Sequence, residues 1–247
     1  MKITFLGTNG WYDTPEGNTP CILIDTKDFY LVLDAGNGLC SLNEYLKKPK
    51  PVYLFLSHLH LDHIIGLHCT PKLRLPQGLK IYVPKKHWRN LHRFFGPPFT
   101  GGPKNSRYGI TMQAIKTEKQ KQPLPFVCLP MTHFHHGYGF RFQIENKIIA
   151  YSGDTSVCDN DQLLAQGADL LIHECSLLPG RDDEEWGHSG PNQVAALAKN
   201  SRVQRLVLTH FLPVTYPHLA DRNQAKKAAR KIFPATEIAY DRLELEV

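Results

Sequence analysis

Short apolar runs separated by turn residues dominate the chain and predict a protein rich in β-strands. Residues 2–6, 21–25 and 30–34 are rich in strand-forming side chains and are separated by Gly, Asn and Pro. The run VYLFL at 52–56 is apolar without interruption, which predicts a fully buried strand. At least ten strands are expected in total. The later ones are predicted at 109–115, 126–130, 138–144, 148–151, 169–172, 205–209 and 236–245.

Helical patterns are fewer. Pro191 suits the first turn of one helix, with Ser189 as its candidate N-cap. The elements do not alternate as in a regular βαβ sheet, and we find no linker long enough to separate two domains. The pattern therefore predicts one α/β domain over residues 1–247, with an insert at about 84–108. The predicted helices cover 41–47, 85–95, 161–166, 191–198 and 223–232.

The composition is that of an ordinary globular protein, with 42% hydrophobic and 21% charged residues. No apolar run approaches the roughly 18 residues of a membrane span, and the amino-terminal apolar segment is too short for a signal peptide. A cytoplasmic location with no membrane partner is expected. The net charge of +6 is compatible with anionic substrates. The six cysteines include no CxxC pair, which predicts reduced, mostly buried thiols.

Thirteen histidines are present, and their positions suggest chemistry. The segment Ser57-His58-Leu59-His60-Leu61-Asp62-His63 directly follows the buried strand at 52–56 and is expected to be a loop. Imidazole nitrogens and a carboxylate at this density suit Zn²⁺, Mn²⁺ or Fe²⁺. More ligands are expected where later strands end, in the cluster at 133–136, at Asp154 and at His210.

The motif SHLHLDH, together with these later segments, resembles the metallo-β-lactamase superfamily. The details are most similar to the ribonuclease Z-like branch of phosphodiesterases. The resemblance covers residues 2–213 and implies an α/β fold, a four-layer αββα sandwich with a two-metal site along one edge. The supporting motifs are GTNG at 7–10, LVLDAGNG at 31–38, HECS at 173–176, GHSGPNQVA at 187–195 and THFLP at 209–213.

The resemblance also implies a ligand set for two divalent ions, with Zn²⁺ expected and Mn²⁺ or Fe²⁺ as alternatives. Within the cluster at 133–136, the family pattern places the ligand six residues before Gly139, which selects His133. His135 is the alternative, and the remaining histidines would form a polar rim. The first metal would be bound by His58, His60 and His133, the second by Asp62, His63 and His210, with Asp154 bridging the two.

By the same resemblance, a hydroxide bridging the metals would attack a phosphodiester, with Asp62 as proton acceptor. His188 would protonate the leaving group, and Glu174 would orient His188 by a hydrogen bond. Structural roles stay open for both residues, His188 at a helix entry and Glu174 as a plain carboxylate. Asp34 is expected to support the site, whereas Asp161 is interpreted as a turn or cap residue.

The substrate is less well defined. The interval between residues 133 and 154 is too short for the tRNA-binding exosite arm of ribonuclease Z. This favours a nucleotide, a cyclic nucleotide, a cyclic phosphodiester or a short RNA over tRNA 3′ processing by an endonuclease. The basic and aromatic insert at 84–108 is either a substrate lid or a solvated helix.

Two alternative functions stay open, a lactone, thioester or amide hydrolase of the same fold and a non-catalytic binding protein. Relatives suggest a homodimer. No substrate-binding residue is assigned.

Overall fold

The computed structural model describes residues 1–116, 119–120, 124–134, 136–181 and 185–247. The chain divides into two compact units. The first comprises Met1–Lys116 and Asp241–Glu246, and the second comprises Thr117–Tyr240 and Val247. Among the described residues, each unit contains one seven-stranded sheet. The single domain over 1–247 stays a prediction.

The strands of the first unit are β1 (Lys2–Gly7), β2 (Cys21–Asp25), β3 (Tyr30–Leu33), β4 (Val52–Phe55), β5 (Leu79–Pro84), β6 (Ile110–Ile115) and β14 (Glu244–Glu246). Their order in the sheet is β14-β1-β2-β3-β4-β5-β6. Pairing is antiparallel from β14 to β3 and parallel from β3 to β6. The carboxyl ends of β3, β4 and β5 therefore lie at one edge of the sheet. Parallel strands are usually covered on both faces, which agrees with the apolar run at 52–56.

The strands of the second unit are β7 (Lys119–Gln120), β8 (Phe126–Pro130), β9 (Tyr138–Ile144), β10 (Lys147–Tyr151), β11 (Leu170–Glu174), β12 (Leu206–Thr209) and β13 (Thr236–Ile238). Their order is β13-β12-β11-β10-β9-β8-β7. Pairing is antiparallel from β7 to β10 and parallel from β10 to β13. The carboxyl ends of β10, β11 and β12 therefore share one edge of this sheet.

Helices complete the core of each unit. In the first unit, Leu42 and Leu67 of two 3₁₀ helices pack with Leu54 of β4. In the second unit, Val194 and Ala225 pack with other buried apolar side chains of that unit's core. No helix in the described part of the chain is long and apolar enough to cross a membrane. The α-helices are α1 (Leu61–Ile64), α2 (Trp88–Phe94), α3 (Asp159–Ala165), α4 (Pro191–Asn200) and α5 (Arg222–Arg230), and the 3₁₀ helices are Asn37–Glu44, Ile65–Lys72, Lys85–His87, Pro103–Asn105 and Leu219–Asp221.

Several predicted elements differ from the structure. The strand predicted at 236–245 is wrong, because β13 and β14 belong to different sheets and Arg242 between them has φ of +72°. The helix predicted at 41–47 is a 3₁₀ helix that begins earlier, at Asn37. The loop expected at 57–63 is helical from Leu61 onward, where α1 begins. Strand β5 was not predicted. The predicted helix at 85–95 is present as Lys85–His87 followed by α2, but the role of the insert as a lid stays a prediction.

Two further expectations are corrected. Gly190, not Ser189, is the N-cap residue of α4, because the Ser189 hydroxyl donates to the carbonyl oxygen of Thr155 instead. The expectation of reduced cysteines is wrong for Cys40 and Cys69, which form a disulfide. Their Cα atoms lie 5.6 Å apart because the two 3₁₀ helices that carry them pack together, a contact that spacing along the chain cannot reveal.

Candidate metal centre

The histidines of the SHLHLDH motif cluster where β4 ends. His60 is extended and serves as the N-cap of α1, so the chain turns sharply between His58 and His63. The ring centroid of His58 lies 4.6 Å from that of His60 and 4.1 Å from that of His63. The first unit therefore brings the three predicted imidazole ligands of this motif together.

Asp34 orients two of these rings, His63 directly and His58 through Ser57. It follows β3, is fully buried and has φ of +57°. Its carboxylate accepts hydrogen bonds from Ser57 N–H at 2.7 Å, from the Ser57 hydroxyl at 2.7 Å and from His63 Nδ1 at 2.8 Å. The Ser57 hydroxyl proton is thus engaged, so its oxygen accepts from His58 Nδ1 at 3.0 Å. The predicted supporting role of Asp34 has a defined geometry.

Asp62 lies in the first turn of α1, beside His63. Its Oδ2 accepts the Trp11 N–H at 2.8 Å and lies 3.5 Å from His63 Nε2. The backbone here is tightly packed, because a Cβ added at Gly36 would overlap the carbonyl oxygen of Asp62. Glycine at 36 therefore allows the strand-to-helix segment after β3 to approach α1 closely.

In the second unit, His133, Asp154 and His210 also converge. Asp154 follows β10 and His210 follows β12, at the edge where the carboxyl ends of these strands lie. Asp154 Oδ2 lies 3.2 Å from His210 Nε2 and 3.9 Å from His133 Nε2. One carboxylate oxygen thus approaches two histidines. Of the alternatives to His133, His136 is exposed, and His135 lies outside the described residues.

The histidines of the second unit are held through Nδ1, as in the first. His133 Nδ1 donates to the Gly187 carbonyl at 3.2 Å. His210 Nδ1 lies 3.2 Å from Ser176 Oγ, which itself donates to the His210 carbonyl and so accepts from the ring. Burial lowers the pKa of His133, and the nearby Asp154 only partly opposes this effect. A neutral imidazole is the form that binds metal ions.

His188 and Glu174 form the predicted hydrogen-bonded pair. His188 Nδ1 donates to Glu174 Oε1 at 2.6 Å. Glu174 also accepts the N–H groups of Thr155 at 3.1 Å and Ser176 at 3.0 Å. Burial alone would raise the pKa of Glu174, but the charge and hydrogen bond of His188 outweigh it, so this pKa is lowered. One donor atom each of Asp154, His188 and His210 lie within 4.8 Å of one another.

Sequence reasoning missed several partners at these sites. Ser57 and Ser176 orient histidines, and their only sequence signal is their place inside the SHLHLDH and HECS motifs. Asp161 is not a turn or cap residue, because its buried carboxylate pairs with His173 Nε2 at 2.8 Å. Since an i to i+12 contact of this kind depends on how α3 lies against β11, the local sequence gives no indication of it.

The donor set of each unit fits a divalent cation. Each offers imidazole nitrogens and carboxylate oxygens, the ligand types of Zn²⁺, Mn²⁺ and Fe²⁺ sites. Four of the predicted ligand histidines, His58, His63, His133 and His210, have Nδ1 held by a protein acceptor, an arrangement that is usual for metal-binding histidines.

Comparisons with known proteins agree with the motifs. A family model for the β-lactamase superfamily domain matches residues 30–211. Ribonuclease Z of Methanothermobacter thermautotrophicus is 26% identical over 308 residues, covering 100% of this chain and 97% of that protein. The metallo-β-lactamase fold protein YhfI of Bacillus subtilis superposes with a TM-score of 0.82 at 23% identity, covering 100% of this chain and 98% of the other. The short form of human tRNase Z superposes with a TM-score of 0.76 at 23% identity, covering 100% and 99%.

The superpositions and the family match confirm the predicted metallo-β-lactamase fold of the α/β class. The match covers most of the chain and includes the SHLHLDH motif, Asp154 and His210. The chain therefore belongs to the β-lactamase superfamily, in which it is a ribonuclease Z-like, metal-dependent hydrolase.

Proposed function

We propose that this protein is a dinuclear phosphodiesterase acting on a small phosphodiester, such as a nucleotide, a cyclic nucleotide, a cyclic phosphodiester or a short RNA. The proposed ligands follow the family pattern. His58, His60 and His133 would bind one ion, Asp62, His63 and His210 the other, and Asp154 both. Zn²⁺ is the proposed metal, with Mn²⁺ or Fe²⁺ as alternatives.

The observation that carries this proposal is the shared orientation of the histidines. His58, His63, His133 and His210 each donate from Nδ1 to a serine, carboxylate or carbonyl oxygen. The proton therefore resides on Nδ1, and Nε2 is the nitrogen that would bind a metal ion. A solvated histidine-rich surface would not require four rings to be oriented in the same way.

The metal ions and the side chains have separate roles in the proposed reaction. When bound, two divalent ions activate a water molecule at neutral pH and offset the negative charge of the phosphoryl oxygens. The Asp62 carboxylate accepts the proton of the attacking water. His188 donates a proton from Nε2 to the leaving alkoxide, while Glu174 holds its Nδ1 and stabilises the protonated ring. The HECS and GHSGPNQVA segments that carry Glu174 and His188 resemble motifs of the phosphodiesterase branch, which supports a phosphodiester more than a lactone, thioester or amide.

The segment between His136 and Asp154 supports a small substrate. It consists of β9 and β10 joined by a turn at Glu145 and Asn146, which forms a hairpin without an arm. The relatives named ribonuclease Z and tRNase Z act on RNA, as their names state. We therefore keep short RNA among the proposed substrates and disfavour tRNA 3′ processing.

The test is hydrolysis of bis(p-nitrophenyl) phosphate by protein loaded with Zn²⁺ or Mn²⁺, with the metal content measured in parallel. We expect wild-type activity, loss of activity in Asp62→Asn, and unchanged activity in His218→Ala, which alters an exposed histidine outside the motifs. If wild-type protein with two bound metals is inactive, the phosphodiester proposal is wrong and lactones and thioesters are tested next. Fewer than two metals per chain would contradict the dinuclear site.

A further inference from the structure

An exposed aromatic pair adjoins the metal-binding segment of the first unit. Trp11 and Tyr12 lie in the connection between β1 and β2, with 64% and 41% of their surfaces exposed. Their ring centroids are 5.4 Å apart at an interplanar angle of 65°. Leu61, which directly precedes Asp62, is 62% exposed. Large apolar side chains exposed together usually mark a binding surface.

Hydrogen bonds hold this connection in one conformation. Asn9 Nδ2 donates to the Gly17 carbonyl at 2.8 Å, and the Thr19 N–H donates to Asp13 Oδ1 at 2.6 Å. Trp11 itself has φ of +68°, in the left-handed region that bulky residues rarely adopt. These contacts therefore hold the backbone from which the indole projects in one conformation before any ligand arrives.

The same strained residue contacts the proposed proton acceptor. The Trp11 N–H donates to Asp62 Oδ2 at 2.8 Å, while the indole of the same residue remains exposed. Backbone strain that persists in a folded protein is concentrated at functional sites. A planar group resting on the indole would therefore contact the same residue whose N–H binds Asp62.

We propose that Trp11 and Tyr12 form a subsite that stacks the nucleobase of the substrate. This inference rests on the proposed phosphodiesterase function and narrows its substrate to phosphodiesters that carry a nucleoside. All nucleobases have a π-face, so stacking selects base-bearing substrates over sugar phosphates while discriminating weakly among bases. A backbone already held in one conformation loses little conformational freedom on binding, which favours affinity for small ligands.

A direct binding experiment tests the subsite without relying on catalysis. The chain has three tryptophans, so the double variant Trp88→Phe, Trp186→Phe leaves Trp11 as the sole indole fluorophore. We expect AMP to quench its fluorescence saturably in metal-loaded protein, and ribose 5-phosphate to have no effect. No quenching by AMP, or equal quenching by both ligands, would overturn the proposal.

A competition experiment measures the contribution of stacking. AMP and ribose 5-phosphate are compared as inhibitors of bis(p-nitrophenyl) phosphate hydrolysis. We expect AMP to bind roughly 5- to 150-fold more tightly to the wild type, and this preference to disappear in Trp11→Ala and to be partly restored in Trp11→Phe. Tyr240→Ala is the matched control, since Tyr240 is 43% exposed, and it should keep the preference.

The two proposals fail in different ways. A preference for AMP that persists in Trp11→Ala would refute the stacking subsite while leaving the phosphodiesterase intact. Absence of hydrolysis in wild-type protein would refute the phosphodiesterase, and the fluorescence titration would still decide whether Trp11 binds a nucleobase.

Discussion

Replacing Asp34 with asparagine should change the tautomer of His63. In the wild type, Asp34 Oδ1 accepts the Ser57 N–H, and Oδ2 accepts both the Ser57 hydroxyl and His63 Nδ1–H. Asparagine can keep the first bond through its carbonyl oxygen, but its amide group then presents N–H donors to His63. Two buried donors cannot face each other, so the imidazole proton should move from Nδ1 to Nε2.

The effect of Asp34→Asn on stability and metal affinity can be bounded from this geometry. Leaving the buried donors opposed would cost about 1–3 kcal/mol of folding free energy. Moving the proton avoids this cost but blocks the proposed ligand nitrogen. Loss of a carboxylate behind a metal-binding histidine typically weakens metal affinity about 10- to 100-fold, or about 1.4–2.7 kcal/mol. Because only one of the proposed metals uses His63, we expect one ion to be lost more readily than the other.

The assay is competition for Zn²⁺ with a chromophoric chelator, alongside chemical unfolding of the metal-depleted protein. Asp28→Asn, at an exposed position of the same unit, is the matched control and should bind metal as the wild type does. If folded Asp34→Asn protein retains two ions with wild-type affinity, the reasoning from tautomers is refuted.

Three further predictions follow from buried or bonded pairs. Burial would lower the pKa of His173, but the charge of Asp161 outweighs burial, so this pKa is raised above 6.5. The contribution of the His173–Asp161 pair to the unfolding free energy is therefore fully present below pH 6.5 and is lost as the pH rises through the raised pKa. Asp161→Asn should lower the unfolding free energy by about 3–5 kcal/mol and remove its pH dependence, as measured by urea unfolding between pH 6 and 9. An unchanged pH dependence in this variant would contradict the prediction. Reduction of the Cys40–Cys69 disulfide, whose cysteines are 29 residues apart, should lower the unfolding free energy by about 3–4 kcal/mol. The variant with serine at both positions should not respond to the reductant. His188→Asn should slow cleavage of 2′,3′-cyclic AMP about 10²- to 10⁴-fold yet change bis(p-nitrophenyl) phosphate cleavage little, because nitrophenolate leaves without a proton; equal losses would exclude the acid role.

Local sequence was sufficient for most strands and insufficient where distant segments meet. The strands predicted at 21–25, 126–130 and 138–144 have those bounds in the structure, because apolar runs between turn residues mark them clearly. The run at 236–245 carries no glycine or proline, so nothing local indicates that it leaves one sheet and joins another. The disulfide between Cys40 and Cys69 was missed for the same reason.

The candidate site divides in the same manner. Histidines and aspartates at strand ends could be found by motif, since the motif residues are contiguous. The residues that orient them could be found only in part. Asp34 and Glu174 lie in motifs, whereas the Trp11 N–H and the Asp161 carboxylate contact their partners through tertiary packing. Contacts that span the fold leave no periodic signal in the sequence.

The contribution of the carboxyl-terminal segment to the first unit has a consequence for synthesis. Asp241 accepts the Thr8 hydroxyl and the Asn18 N–H, which lies 223 residues earlier, in the connection that carries Trp11. At the usual rates of translation, roughly 5–20 residues per second, the ribosome needs roughly 10–45 s to cover that distance. During this interval β1 lacks its partner β14, and the nascent first unit exposes a sheet edge. Chaperones that recognise unpaired strands should therefore associate with this chain until β14 emerges from the ribosome and pairs with β1.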